Sequence, residues 1–266
     1  MNQITAPFGD MMKRWRTSRR LSQLDLALTA QVSARHVSFI ETGRARPSRQ
    51  MVIQLAEALD VPLRDRNALL QAAGFAPVYR ETALDSPAMA HIRSVLQFIL
   101  ERHEPYGAVV LDRHWNILMS NKAMERFAPF IKDPASGGDP SNVMRLTFHP
   151  DGFRPYIVNW PEVAQSLIQR LQREAAASWA DSGSTDLLNE MLSYPGVSAA
   201  WTSSDVEQPS LLLPVHLRKG DIEVKFFTSI ATLGTAQDIT LHELRIETFF
   251  PADPATEQLI RRMADS

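Results

Sequence analysis

The 266-residue chain contains no cysteine. Disulfides, thiol catalysis, iron–sulfur ligation and zinc-ribbon sites are therefore excluded. Long hydrophobic runs are missing too, since none approaches the roughly 18 residues needed to span a bilayer. Met1 to Asp10 has neither the basic run nor the apolar stretch of a secretory signal, so a cytoplasmic protein without membrane attachment is the expectation. Catalytic signatures are equally scarce. There is no Gly-x-Ser-x-Gly elbow, no phosphate-binding Gly-Lys-Ser/Thr loop and no dinucleotide fingerprint. The seven histidines, His36, His91, His103, His114, His149, His216 and His242, include no His-x-x-x-His or His-Glu-x-x-His pair. Neither a metal site nor a catalytic residue is expected, and the chain does not read as an enzyme.

What is present is a globular composition with a divided charge. Apolar residues make up 44% and charged residues 22%, which describes a folded chain rather than a disordered one. The 28 basic and 30 acidic residues nearly cancel, to a net charge of -2. Their distribution is uneven. Residues 1–80 hold 12 Lys/Arg against 6 Asp/Glu, whereas the remainder holds 16 against 24. A basic module joined to an acidic one is implied, and nucleic acid is the usual partner of the basic part.

Residues 8 to 75 read as five short helices. Phe8, Met12 and Trp15 fall on one face of the first, with Lys13, Arg14 and Arg16 opposite. Ser22 is an N-cap candidate for a second helix presenting Leu26, Ala27 and Ala30. Ser33 caps a third, which turns Val37 and Ile40 inward and closes at Gly43, a residue free to adopt the left-handed conformation. Pro47-Ser48 opens a fourth with Val52, Leu55, Ala56 and Leu59, and Pro62 precedes a fifth that runs to Gly74. Two short helices about four residues apart, the second capped by serine and ended by glycine, form a helix-turn-helix signal.

The run LSQLDLALTAQVSARHVSFIETGRARPS resembles the helix-turn-helix of the phage-repressor-like (XRE) regulators. Leu21-Ser22-Gln23, Leu26-Ala27, Val32-Ser33, Glu41-Thr42-Gly43 and Pro47-Ser48 reproduce that family's usual wording. Two places depart from it: Gln31 stands where glycine is common in the turn, and Leu24 and Leu28 occupy positions usually polar. The resemblance implies double-stranded DNA as partner. A helix fits the major groove with its N-terminal side chains at the base edges. By position, the third helix turns Ala34, Arg35, Ser38 and Phe39 to DNA, with Arg35 the base reader. Gln23, Ser33, Arg44, Arg46 and Arg49 then hold phosphates and fix the register. His36 falls on either side.

Ala76 to Pro87, with two prolines and few large apolar residues besides Val78, Tyr79 and Leu84, reads as a linker. Ile92, Val95, Leu96, Ile99 and Leu100 then mark a helix that ends at Pro105-Tyr106-Gly107. AVVLDRHWNILMSNKAMERF reads as a hairpin followed by a helix start after Asn121, an opening that resembles PAS sensor domains. A loop is expected over 132–142. Pro161 starts a helix carrying Val163, Ala164, Leu167, Ile168 and Leu171 to about Ser178, and another holds Leu187, Leu188, Met191 and Leu192. Strands are expected at Leu211–Leu217, Ile222–Ile230 and Glu243–Phe250, with Gly234-Thr235 a turn between the last two. In the last, Leu244, Ile246, Thr248 and Phe250 alternate with Arg245 and Glu247, which fall on the polar side.

HPDGFRPYIVNWPEVA, the Tyr194-Pro195-Gly196 turn and FFTSIATLGTAQDITLHELRIETFFPAD resemble the C-terminal domain of the MmyB-like regulators. RHVSFIETGRARPSRQMV and NALLQAAGFAPVY match that family as well, so the resemblance covers nearly the whole chain. It implies a repressor-like DNA-binding domain coupled to a PAS-like domain holding a small hydrophobic molecule, fatty acids among the types. Residue supply agrees with a pocket: Phe148, Tyr156, Trp160 and Phe226 are available to line an apolar cavity or to fill a core, and Arg154 or Asn159 to fix a polar head.

The expected fold is therefore α+β in two domains. Residues 1–76 form an all-α, five-helix helix-turn-helix domain, 77–87 a linker, and 88–266 a PAS-like domain with an antiparallel sheet flanked by helices. The expected function is a transcriptional regulator whose operator affinity follows a hydrophobic effector, with no other cofactor. A palindromic site needs two reading helices about 34 Å apart, hence a homodimer. The alternative is a C-terminal domain that serves protein interaction or dimerisation without a small-molecule ligand.

Overall fold

The computed structural model describes residues 8–133, 141–177, 182–202 and 212–265. They form two compact units, one ending at Glu81 and the other starting at Thr82, apart from residues 237–239, which group with the first.

The first unit is five helices: α1 (Phe8–Ser18), α2 (Gln23–Thr29), α3 (Ala34–Glu41), α4 (Arg49–Ala58) and α5 (Leu63–Ala72). Serines start three of them. The hydroxyls of Ser22, Ser33 and Ser48 each accept the backbone N–H three residues on, and Asp25 returns a bond to the Ser22 N–H at 2.8 Å. Each such cap is worth about 1 kcal/mol. The inward stripes meet in one core of Phe8, Met12, Trp15, Leu26, Val37, Ile40, Val52, Leu55, Leu59, Leu69 and Leu70. Gly9 lets α1 cross close to the end of α3, since a Cβ there would lie 2.6 Å from the Glu41 carbonyl oxygen.

Arg16 departs from its expected place on the open face of α1. It is buried and forms a double hydrogen bond with Glu41 of α3, at 2.6 and 2.9 Å, while Nη1 donates to the Leu21 carbonyl at 2.8 Å. The expected linker is also not free chain. The Asn67 side chain of α5 accepts from the N–H groups of Val78 and Tyr79 and donates to the Tyr79 carbonyl, so this segment lies along the first unit. Farther on, Arg93 donates to the carbonyls of Leu84 and Ser86, and Leu84 packs against the core of the second.

The second unit is built on a five-stranded antiparallel sheet of β1 (Ala108–Leu111), β2 (Ile117–Ser120), β3 (Val215–Lys219), β4 (Ile222–Ala231) and β5 (Arg245–Pro251). Their order across the sheet is β2-β1-β5-β4-β3. β5 is central, with Val109 and Ile230 opposite Glu247. The helices are α6 (Ala90–Arg102), α7 (Val143–Phe148), α8 (Trp160–Ala177), α9 (Gly183–Ser193), α10 (Ile239–Glu243) and α11 (Pro254–Asp265). Both faces of the sheet are covered. Ala108, Val110, Leu244 and Ile246 pack with Leu96 and Leu100 of α6, while Val109 and Leu111 pack with α7, α8 and α9. Asn121, just past the hairpin, knits this corner together: it accepts from the Ala108 N–H and donates to the carbonyls of Leu100 and Tyr106.

Several expected bounds shift. β3 begins at Val215, and Leu211 lies outside the described residues, as do 134–140 of the expected loop and Ser178 at the expected end of α8. β5 begins at Arg245 because α10 occupies the residues before it. Among the described residues no helix is long and apolar enough to cross a membrane.

Candidate functional site

In the first unit, α2 and α3 pack together on the shared core, and the turn between them passes through Gln31 at φ +53. That is the left-handed region, so glutamine here holds the shape that glycine holds more cheaply. Gly43 at φ +71 closes α3, and the N–H groups of Arg44 and Ala45 both return to the Phe39 carbonyl. α3 is thus fixed at both ends. Its solvent side presents Ser33 and Arg35 fully and Ala34, Ser38 and Phe39 in part. The Arg35 guanidinium lies 5.1 Å from the Phe39 ring centre, folded back along the helix.

The flanking cations Arg44, Arg46 and Arg49 are exposed, and Arg49 also donates to the Ala76 carbonyl at 3.1 Å. Gln23 is half-buried, its amide donating to Glu41 at 2.8 Å. Glu41 therefore ties Arg16 of α1 and Gln23 at the start of α2 to the last residue of α3. The hydrogen bonds that Arg16 donates to Glu41 hold its guanidinium above its ordinary pKa, so it stays charged. His36 is half-buried, with its backbone N–H on the Ser33 cap.

In the second unit, a cavity of about 220 Å³ opens between the sheet and α8. Phe127, Ile157, Val163, Leu167, Phe226 and Phe249 make much of its wall apolar. The polar groups on the wall are Thr147, Ser166, Arg170, Thr228 and Glu247. Glu247 Oε2 is buried with no hydrogen-bond partner. An unpaired buried acceptor costs about 1–3 kcal/mol, so a fold rarely leaves one idle. Burial pushes the Glu247 carboxyl above the usual range, against the Thr228 hydroxyl and the charges of Arg170 and Arg245, which pull it down. Those two guanidiniums stack on Trp115, 4.7 and 4.8 Å from a ring centre, and both donate to Glu174 at 3.1 Å.

A helix-turn-helix family model matches residues 12–65, and the model of the MmyB-like transcription regulator ligand binding domain matches residues 92–263. The chain belongs to the MmyB-like transcription regulators. No curated protein matches it. Apart from residues 237–239, the two matched ranges fall one in each compact unit of this MmyB-like regulator, so a DNA-binding domain and a ligand-binding domain are carried by separate cores.

Of the six residues that the sequence offers for the ligand, Phe226 lines the cavity of the MmyB-like domain. The other five stand outside its wall. Phe148 is completely buried, edge-on to Trp160 at 5.2 Å. Arg154 lies over the Trp160 ring at 4.8 Å, and its Nη1 and the indole Nε1 are buried without partners. Tyr156 packs edge-on to Phe130 and lies under the Lys219 ammonium. Asn159 donates to the Pro214 carbonyl and accepts from the His216 N–H, which fastens the start of α8 to β3. Among the wall residues that sequence reasoning missed are Glu247, Arg170 and Trp115. Glu247 alternates with the apolar Ile246 of β5 and so reads in the sequence as a solvent-facing residue, with no local signal of its burial. Among the described residues no group of three His, Asp or Glu is placed to hold a metal ion.

Proposed function

We propose that this MmyB-like regulator binds a palindromic operator as a homodimer, and that a small hydrophobic molecule in the cavity changes its operator affinity. The observation that carries the DNA half is α3, pinned at both ends by capping and by Glu41, with Ser33 and Arg35 open to solvent. In this reading Ala34, Arg35 and Ser38 meet the bases. Gln23, Ser33, Arg44, Arg46 and Arg49 meet phosphates, Gln23 with the amide proton that Glu41 does not use. The apolar cavity supports the effector half. An effector shifts an equilibrium only by binding the DNA-competent and incompetent states with different affinity.

Gel-shift titration on the DNA upstream of the regulator's own gene, with and without molecules extracted from the purified protein, tests both halves. Binding that ignores the extract overturns the effector half. Arg35→Ala is expected to cost about 1–3 kcal/mol and to relax preference at one base pair. Arg46→Ala is expected to weaken binding evenly across sequences and to flatten the salt slope by about one. The reverse pattern in the two variants would exchange their roles. Sedimentation equilibrium reads the dimer, and a monomer at micromolar concentration contradicts it. Native mass spectrometry separates the effector reading from a C-terminal domain that binds only protein.

A further inference from the structure

We infer that Phe39 reads the operator together with Arg35, its ring taking the 5-methyl group of a thymine that lies within about two base pairs of the guanine taken by Arg35. This rests on α3 being the reading helix, as proposed above, and adds to that helix one residue and the base that it selects. Three observations carry it.

The first is where the ring sits. α3 gives Val37 and Ile40 to the core of the first unit and packs Ala34 against it, but Phe39 joins neither group. It is a half-buried phenylalanine on the face that also shows Arg35 and Ser38. Its place on that face is fixed, because the Phe39 carbonyl accepts from the N–H groups of Arg44 and Ala45 at 2.8 and 3.1 Å. The second is its neighbour. The Arg35 guanidinium lies 5.1 Å from the centre of the Phe39 ring. Residues four apart share a helix face, and a guanidinium rests on an aromatic ring while its N–H fork stays free. Among the described residues no protein acceptor takes those N–H groups, so they remain for a base edge.

The third observation is chemical fit. Arginine matches the O6 and N7 acceptors of guanine, and the thymine methyl is the apolar group on the major-groove edges. Against cytosine, the same ring strips water from the N4 amino group and offers no acceptor in return, which is unfavourable. Positions 35 and 39 lie about 6 Å apart along the helix, and successive base pairs about 3.4 Å apart. The two contacts therefore fall on neighbouring or next-neighbouring pairs.

The test uses the full chain and a library of random-sequence duplexes, from which bound DNA is recovered and sequenced. Wild-type protein is expected to recover a guanine with a thymine at one fixed offset, and Phe39→Ala to keep the guanine and lose the thymine. Each thymine of the recovered site is then replaced singly by uracil, which deletes the methyl group and leaves every hydrogen-bonding group. At one thymine the wild-type protein is expected to lose about three- to fivefold in affinity, the worth of one buried methyl. Phe39→Ala is expected to be indifferent to that change. Cytosine at the same position is expected to bind more weakly still, and 5-methylcytosine to recover part of the loss. Phe39→Gln, whose longer side chain still covers the helix, serves if the alanine variant does not fold, and is expected to be equally indifferent to uracil. The inference falls if no thymine is sensitive, if the sensitivity survives in the Phe39 variants, or if Arg35→Ala still recovers the same guanine. A reproducibly enriched sequence then still supports a DNA-reading helix. If no sequence is enriched, that reading falls as well.

Discussion

Replacing Glu41 by alanine is expected to destabilise the helix-turn-helix unit by about 3–5 kcal/mol, the cost of stranding one partner of a buried ion pair. The side chains of Arg16 and Glu41 are only 10% and 3% exposed, so the guanidinium left behind has little water to turn to. The loss is not confined to the pair. Gln23 loses its anchor at the start of α2, and α3 loses the contact that joins its last residue to α1. Hydrogen exchange of the full chain measures the effect directly, as lower protection across α1, α2 and α3 with the second unit unchanged. A companion variant separates charge from packing. Arg16→Met combined with Glu41→Met removes both charges at similar volume, and such replacements are often neutral or stabilising. The double variant is therefore expected to recover at least half of the loss. Unchanged protection in Glu41→Ala would mean that the core alone holds α3 in place.

The pair also marks the limit of what is legible along the chain. Features that arise within a few residues are readable: the serine caps at 22, 33 and 48, the glycine closure at 43, the inward stripes of α1 to α5 and the alternation of β4. Arg16 and Glu41 are 25 residues apart, and nothing local to Arg16 distinguishes it from the exposed Lys13 and Arg14 on the same helix. Short elements escape for a different reason. α7 and α10 have six and five residues, too few for a helical period to repeat. α11 was open to reading, because Asp253 caps it and Pro254 takes its first position.

Glu247 shows why the cavity is hard to find from sequence. Alternation in a strand separates inside from outside only when one face of the sheet meets water. Here α6 covers one face and α7 to α9 the other, so Ile246 and Glu247 are both buried although they point to opposite sides. Phe226 was reachable because β4 alternates and its apolar face is the cavity side. The remaining wall residues come from segments spread between Trp115 and Phe249, which only the folded sheet brings together.

Phe148 tests whether an aromatic in this unit builds the core or the cavity. It is completely buried among Trp115, Met144, Ala164 and Ile168, edge-on to Trp160, and stands outside the cavity wall. Phe148→Ala is expected to destabilise the second unit by about 3–5 kcal/mol, through lost burial and the hole left behind. In protein that remains folded, the affinity for a cavity probe such as 4-propylphenol is expected to stay within about threefold, since one RT of differential binding is less than that. Phe226→Ala provides the contrast. Its ring packs 5.1 Å from that of Phe127 and forms part of the wall, so removing it lowers stability and also enlarges the cavity. Larger probes should then gain on smaller ones, an inversion that Phe148→Ala does not produce. Hydrogen exchange over α7 and α8 reads the stability, and calorimetry with probes of increasing chain length reads the cavity. If Phe148→Ala instead shifts the preferred probe length while Phe226→Ala does not, the ligand lies against Trp160 and Phe148 rather than in the cavity.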